Sequence, residues 1–169
     1  MSVSRYLATT LVGAVASTAL LATSAAAEPA SAAAAPGTAS LQKAVVKLTN
    51  AERAKAGCPA LKVRPALHKA AQRHSKDMAK HDFVGHSGSD GSTMVDRAEA
   101  AGYTGWNALA ENVAAGQTTA ADVVKSWMKS PGHRANILNC SLEHMGVGYV
   151  KKSGSTHGTY WTQDFGAKF

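Results

Sequence analysis

Three short blocks decide how this sequence is interpreted: FVGHS at 83–87, LAENV at 109–113 and WMKSPGHRANIL at 127–138. Each block sets one histidine or glutamate among small or apolar neighbours, which gives His86, Glu111 and His133. Imidazole and carboxylate groups held at the edge of a core are typical of metal sites and of acid–base sites. We therefore interpret residues 83–139 as the candidate site and the flanking segments as its scaffold.

The first 39 residues have the composition of an export signal and a linker. Arg5 precedes an apolar segment at 7–23, and three alanines end at Ala27. This order predicts a secretory signal peptide over 1–27 and hence an extracellular protein. An uncleaved membrane anchor is the alternative, although Thr, Gly and Ser interrupt the apolar run. Residues 28–39, rich in Ala, Pro and Ser, are predicted to be a flexible spacer without structure.

The remaining residues, 40–169, are long enough for one domain with a sizeable core. The whole chain has a formal charge of +7, and loss of the signal peptide would remove only Arg5, leaving +6. The basic residues are spread along the chain and form no stripe with interleaved aromatic residues, which argues against nucleic-acid binding. We expect a monomer, without a transmembrane segment after signal cleavage, that is mildly attracted to anionic surfaces such as a cell envelope.

The two cysteines, Cys58 and Cys140, are an even number in a chain with an export signal, which predicts a disulfide. That disulfide would stabilise the fold by about 4 kcal/mol because it closes a long loop. Two free buried thiols are the alternative.

Apolar spacing predicts roughly four helices followed by two strands. The helices are expected over 40–56 with Ser40 as cap, from Pro65 onward, over 92–101 with Ser92 as cap, and from Thr119 to before Pro131. Residues 133–138 would add one helical turn, and 109–113 form a short strand or an extended segment. Alternation over 144–150 and 160–165 predicts a β-hairpin, and Gly146 and Gly148 indicate that another layer approaches it closely. The fold class is α+β, with helices packed on a small antiparallel sheet.

Most of the seven histidines need no function. His74 lies on the inner stripe of the second helix and is interpreted as a core residue, whereas His144 is expected to face solvent. His86 and His133 differ, because each lies in a glycine-containing turn that presents its side chain from a fixed point. Two converging imidazoles suit Zn²⁺ or Cu²⁺, with Glu111 as a third ligand or as the base that orients a bound water.

The motifs FVGHS, AEN at 110–112, Trp127 with SPGHRANIL at 130–138, GVG at 146–148 and YWTQ at 160–163 occur in order over residues 40–169. Together they resemble the secreted bacterial branch of the CAP superfamily, which includes cysteine-rich secretory proteins, antigen 5 and pathogenesis-related proteins. The resemblance implies an α-β-α sandwich with a central cleft. Cys58 and Cys140 also resemble the cysteine pair of bacterial members.

The resemblance implies a cleft with two histidines and two glutamates. The two histidines fall on His86 and His133, and the first glutamate falls on Glu111. The second glutamate should follow the helix tryptophan by three positions, and Ser130 stands there. Ser is a poor metal ligand and no base by itself, so mechanisms that need two carboxylates are in doubt. A site of two histidines with Glu111 nearby remains intact.

Three functions follow as alternatives. The first is a secreted, non-enzymatic binding domain with Zn²⁺ or another divalent metal in its cleft and a groove for a lipid, sterol or cell-envelope ligand, as the resemblance implies. Tyr103, Trp106 and Met94 would be wall of that groove or simply core. The second is a peptidase-like hydrolase in which Glu111 activates a metal-bound water. The third is a structural cluster of His and Glu without metal.

Overall fold

The computed structural model describes Met1 and residues 37–169. The described residues therefore leave out residues 2–27 of the predicted signal peptide and residues 28–36 of the predicted spacer. In the part of the chain that is described, no helix is long and apolar enough to cross a membrane.

Five helices and four strands make up the described residues. In chain order they are α1 (Thr38–Lys55), β1 (Lys62–Val63), α2 (Pro65–His81), α3 (Met94–Ala100), β2 (Trp106–Ala115), α4 (Ala120–Lys129), α5 (Pro131–Ile137), β3 (His144–Lys151) and β4 (Thr159–Lys168). The α+β class is therefore confirmed, and the single turn expected over 133–138 is a helix of seven residues.

The four strands form one sheet in the order β1-β3-β4-β2. The predicted β3–β4 hairpin is antiparallel, and β4 also pairs with β2 in antiparallel orientation. The prediction of an antiparallel sheet is wrong at β1, which runs parallel to β3. Strand β2 is longer than the predicted segment 109–113 and forms one edge of the sheet, a position that matters for the site.

Helices cover both faces of the sheet, so the α-β-α sandwich is confirmed. On one face, α1, α4 and α5 enclose the larger core, which includes Val45, Trp127, Ile137 and Phe165. On the other face, α2 lies so close to β3 that a Cβ atom at Gly146 would overlap the backbone of Leu67, and one at Gly148 would overlap that of Ala71. The two glycines are needed because only hydrogen atoms fit between this helix and the strand.

Two helix starts differ from the predictions by one or two residues. Helix α1 begins at Thr38, inside the predicted spacer, and Gly37 rather than Ser40 is its N-cap. Helix α3 is capped by Thr93 rather than Ser92, because the Thr93 side chain and Asp96 form a reciprocal capping box. The predicted cap of α4 is confirmed, since the Thr119 hydroxyl accepts from the Asp122 amide.

The predicted disulfide between Cys58 and Cys140 is confirmed. Next to it lies the fully buried Arg53, whose guanidinium donates to the carbonyls of Pro59, Ile137, Asn139 and Leu142 at 2.7–2.9 Å. The disulfide and Arg53 together tie the end of α1 to the segment that follows α5.

Two side chains on the α2 face, His144 and Tyr103, are buried. The prediction for His144 is wrong, and the open alternative for Tyr103 is decided. His144 does not face solvent: it is buried, and its Nδ1 lies 2.9 Å from the Tyr103 hydroxyl. Tyr103 packs with Leu67 and Ala98, which places it in the core rather than in a groove wall.

Candidate functional site

His86 lies in the loop between α2 and α3, and its side chain is 60% exposed. Its Nδ1 donates to Oε1 of Glu111 at 2.9 Å. Because Nδ1 carries the hydrogen of this bond, the neutral ring keeps its free electron pair on Nε2. The hydrogen bond therefore selects Nε2 as the ring atom that can bind a cation.

Glu111 is the buried partner of His86 and has only 3% of its side chain exposed. Its second oxygen, Oε2, accepts from Nη2 of Arg97 at 2.7 Å. Arg97 also donates to the backbone carbonyls of Ser92 and His86, at 2.9 and 3.0 Å. Both Glu111 oxygens are therefore engaged, and the same arginine fixes the loop that carries His86.

Arg97 was not among the predicted site residues. The sequence predicts that Arg97 lies on a short helix over 92–101, and a charged residue there is expected to face solvent. In the structure its side chain is only 8% exposed. The indication that was overlooked is Glu111 itself, because a buried glutamate requires a cation as its partner. Only the fold shows which cation supplies it.

His133 is the third residue of α5 and is half-buried. Its backbone carbonyl accepts from Nδ2 of Asn112 at 3.2 Å. Burial lowers the pKa of His133, and the charge of His86 lowers it further. Neutral His133 is the form that can bind a metal.

The segments that carry the two histidines contact neighbouring residues of β2 from opposite faces of the sheet. Successive residues of a strand point to opposite sides, and on β2 Glu111 contacts Arg97 of α3 while Asn112 contacts α5. Nδ2 of Asn136, on α5, donates to the Glu111 carbonyl at 3.2 Å and to Oδ1 of Asn112 at 2.9 Å. Because β2 is an edge strand, these bonds let α5 cover its open side.

A buried polar network continues from this edge into the core. Asn112 donates to Oε1 of Gln163 at 3.2 Å, and Nε2 of Gln163 donates to the Thr49 hydroxyl at 2.8 Å. The network joins β2, β4 and α1 beneath α5. Asn112 and Gln163 were recognised only as parts of motifs, and the structure gives them this supporting role.

Asp164 lies beside the site on the α2 face. It is the register partner of Glu111 across β2 and β4, it is fully buried, and no hydrogen-bond donor of the described residues reaches either of its oxygens. His74, also buried, donates through Nε2 to the Gly85 carbonyl at 2.7 Å, and burial lowers its pKa. The prediction that His74 is a core residue is confirmed.

The donor set available to a metal is small. Among the described residues, no group of three or more His, Cys, Asp or Glu side chains is arranged to hold a metal ion. The two oxygens of Glu111 already accept hydrogen bonds from His86 and Arg97. Ser130, at the position of the second family glutamate, joins α4 to α5 as a cap residue without a side-chain cap bond.

Comparison with known proteins gives a consistent family. Residues 46–165 match the profile of the family described as CAP, the cysteine-rich secretory protein family. The chain is 41% identical over 124 residues to the uncharacterized protein YkwD of Bacillus subtilis, covering 73% of this chain and 46% of that protein. It is 31% identical to the uncharacterized membrane protein YlbC of the same organism, covering 73% and 34%. The chain thus spans less than half the length of these curated relatives.

Solved structures agree with this family. An extracellular protein containing an SCP domain from Bacillus anthracis is similar with a TM-score of 0.67 and 28% identity, covering 75% of this chain and 40% of that one. An outer surface protein of Borrelia burgdorferi matches with a TM-score of 0.71 and 20% identity, covering 79% and 97%. At that identity the second similarity shows the fold alone.

Proposed function

Because this chain belongs to the cysteine-rich secretory protein (CAP) family, we propose that it is a secreted, non-enzymatic binding domain whose cleft holds a divalent cation on His86 and His133. Zn²⁺ is the first candidate, since neutral imidazoles suit it, and Cu²⁺ is the second. Two protein ligands leave coordination positions open, so a water or a donor group of the bound ligand would complete the shell.

The observation that carries this proposal is the engagement of both Glu111 oxygens. A histidine that binds a metal through one ring nitrogen commonly donates its other N–H to a carboxylate, which fixes its tautomer and orientation. Glu111 stands in that relation to His86, at 2.9 Å from Nδ1. Arg97 holds the carboxylate in place from the other side.

The same observation argues against the hydrolase alternative. A general base must offer a free oxygen within hydrogen-bond reach of the water that it activates. Glu111 has only 3% of its side chain exposed, so its oxygens have almost no access to a water in the cleft, and each already accepts one hydrogen bond. Ser130 replaces the other family glutamate, so this cleft has no second carboxylate from α4 to act as base. We therefore expect no turnover of peptide substrates, with or without Zn²⁺.

The metal-free structural cluster is the closest competitor, because both Glu111 oxygens and the Asn112 amide have hydrogen-bond partners without an ion. The two proposals differ in what His86 does. In a structural cluster, His86→Ala lowers thermal stability and no cation binds. In a binding cleft, His86→Ala has a small effect on stability, since the ring is mostly exposed, and removes cation binding.

The test is a calorimetric titration of metal-stripped protein with ZnCl₂. We expect saturable one-to-one binding by the wild type and loss of that binding in the His86→Ala/His133→Ala double variant. The matched control is His81→Ala/His157→Ala, which removes two exposed imidazoles away from the cleft. Absence of binding by the wild type, or equal loss in both double variants, would refute the proposal.

The described residues offer a place for an apolar ligand outside the cleft. A largely apolar groove of about 350 Å³ lies between the start of α1, β1 and α2, lined in part by Val46, Val63, Pro65 and Val147. Val63 is 50% exposed there. We propose this groove as the place for a lipid acyl chain or another apolar ligand.

Binding of a fluorescent fatty acid tests the groove. Val63→Glu should abolish binding with little change in stability, because the residue is exposed. Val84→Glu is the control, since Val84 is an exposed valine that does not line the groove. Binding that survives Val63→Glu, or is lost equally in both variants, would exclude the groove.

Secretion is supported by the predicted signal peptide, by the disulfide and by a relative described as extracellular. Disulfides persist mainly in oxidising compartments. Mass spectrometry of protein from the culture medium should find a chain that begins at Glu28. Retention of the full chain in the membrane fraction would favour the uncleaved anchor instead.

A further inference from the structure

Asp164 is a buried carboxyl group for which neither the predicted cleft nor the proposed function accounts. It lies on β4, directly across from Glu111 on β2 and from Gly146 on β3. Its side chain is fully buried, and both oxygens lack a hydrogen-bond donor among the described residues. An ionised carboxylate in such a place would have neither solvent nor a partner.

The charged and titratable groups that face Asp164 from the packed elements are few. Glu111 faces it from β2 and Arg97 from α3, while β3 offers only a glycine. His74, on α2, is buried in the same region, is influenced by Glu111 and Arg97, and has no partner at Nδ1. Arg97 is the one cation among these groups, and its Nη2 is already bonded to Glu111 and to the His86 carbonyl.

Two adjacent buried carboxyl groups therefore compete for one cation. Two neighbouring carboxyl groups cannot both stay ionised where water does not reach them, so either Glu111 or Asp164 holds a proton. Glu111 is the group with charged and hydrogen-bonding partners, which favour its ionised form. Neither oxygen of Asp164 accepts a hydrogen bond from a described residue, so the proton belongs on Asp164.

We propose that Asp164 is protonated in the folded protein and donates its O–H to Glu111, which makes it a positioning residue that holds the Glu111 carboxylate against His86. Each Glu111 oxygen accepts one bond from His86 or Arg97 and retains capacity for another. The protonation of Asp164 follows from its own surroundings. Its role in orienting His86 toward a cation rests on the proposed function.

The electrostatic environment supports this assignment. Burial raises the pKa of the Asp164 carboxyl well above its usual value, and the negative charge of Glu111 raises it further. Arg97 acts in the opposite direction, but its charge is shared with Glu111.

Carboxyl ¹³C NMR tests the protonation directly. In protein labelled with ¹³C-aspartate, the resonance that disappears in Asp164→Asn identifies the Asp164 carboxyl carbon. We expect this resonance to have the chemical shift of a protonated acid at pH 7, when surface aspartates are ionised. An ionised shift at pH 7, with a titration in the ordinary aspartate range, would overturn the proposal.

Two substitutions test the positioning role. The amide of Asp164→Asn can still donate to Glu111, so we expect ¹⁵N NMR to show His86 with its hydrogen on Nδ1, as in the wild type. Asp164→Ala removes the donor, so we expect loss of this tautomer preference and a 10- to 100-fold loss of Zn²⁺ affinity, on the scale of other outer partners of metal ligands. Equal effects of the two variants on the tautomer would exclude the positioning role.

The two proposals fail in different ways. If the wild type does not bind Zn²⁺, the proposed function is refuted, while the ¹³C and ¹⁵N measurements still report on Asp164. If Asp164→Ala does not fold, the protonation is decided by the wild-type spectrum and the positioning role by whether Asp164→Asn retains the His86 tautomer.

Discussion

At the scale of single residues, Glu111 is the group on which the cleft depends, because it links an exposed imidazole to a buried guanidinium. Glu111→Gln should lower the free energy of unfolding by about 3 kcal/mol, because loss of one charge of a buried pair leaves the other unpaired. Urea denaturation at pH 7 measures this change. The control is Glu52→Gln, which breaks the Glu52–Lys55 pair at the surface and should cost less than about 1 kcal/mol. Similar losses in the two variants would mean that Glu111 is not a buried charge.

Asp164 gives a pH dependence with a definite sign. Its folded-state pKa is raised, whereas the unfolded chain releases this proton at about pH 4. The folded state therefore binds more protons than the unfolded state above that pH, and stability falls as pH rises, by about 1.4 kcal/mol per pH unit until the folded-state pKa is reached. The contribution is fully present below about pH 4.

Asp164→Asn should remove this slope. The difference in unfolding free energy between the variant and the wild type should therefore grow in favour of the variant as pH rises from 4 to 7, since other groups cancel in the difference. Denaturation curves at several pH values measure it. A difference that does not change with pH would contradict a raised pKa for Asp164.

Among the candidate residues, the sequence was sufficient to single out His86, Glu111 and His133 but not the residues that contact Glu111. His86 and His133 lie in glycine-containing turns and Glu111 lies in an apolar block, so each is conspicuous locally. Arg97 and Asp164 acquire their significance only from partners 14 residues away or on another strand. No local pattern marks such contacts, because they are created by strand pairing and by the position of α3 on the sheet.

At the scale of elements, the contact between α2 and β3 leaves no room for a side chain at Gly146 or Gly148. Gly146→Ala should lower the free energy of unfolding by about 3 kcal/mol, the upper part of the range for overpacking, because the added methyl would meet backbone that cannot rotate away. Gly132→Ala is the control: it lies in α5 with open space around it and should stabilise by about 0.5–1 kcal/mol. Thermal unfolding of both variants checks the sign, and destabilisation of both alike would contradict the packing argument.

The elements that were predicted correctly have a clear period or cap. Leu67, Ala70, Ala71, His74 and Met78 repeat at helical spacing, and all five are buried on α2. Strand β1 was not predicted because two residues have no period and its parallel partner, β3, lies about 80 residues later. His144 was predicted to face solvent because its burial depends on contact with Tyr103, which lies 41 residues earlier in the chain.

At the scale of the whole molecule, the disulfide joins the segment that follows α1 to the segment that follows α5. Cys58 follows α1, Cys140 follows α5, and they are 82 positions apart. The Cys58→Ala/Cys140→Ala variant should lose about 4 kcal/mol of stability, because the unfolded chain regains the freedom of a long loop. Reduced wild-type protein should show a similar loss in the same denaturation experiment. Unchanged stability in both would mean that the bond does not constrain the chain.

The central claim, that His86 and His133 form a cation site oriented by Glu111, is tested most directly by anomalous diffraction at the zinc edge. Crystals of metal-stripped protein soaked in ZnCl₂ should show one anomalous peak in the cleft, about 2.0–2.1 Å from Nε2 of His86 and from a ring nitrogen of His133. Glu111 should remain hydrogen bonded to Nδ1 of His86 and paired with Arg97. A cleft without an anomalous peak, or a peak coordinated by Glu111 in place of the imidazoles, would contradict the account.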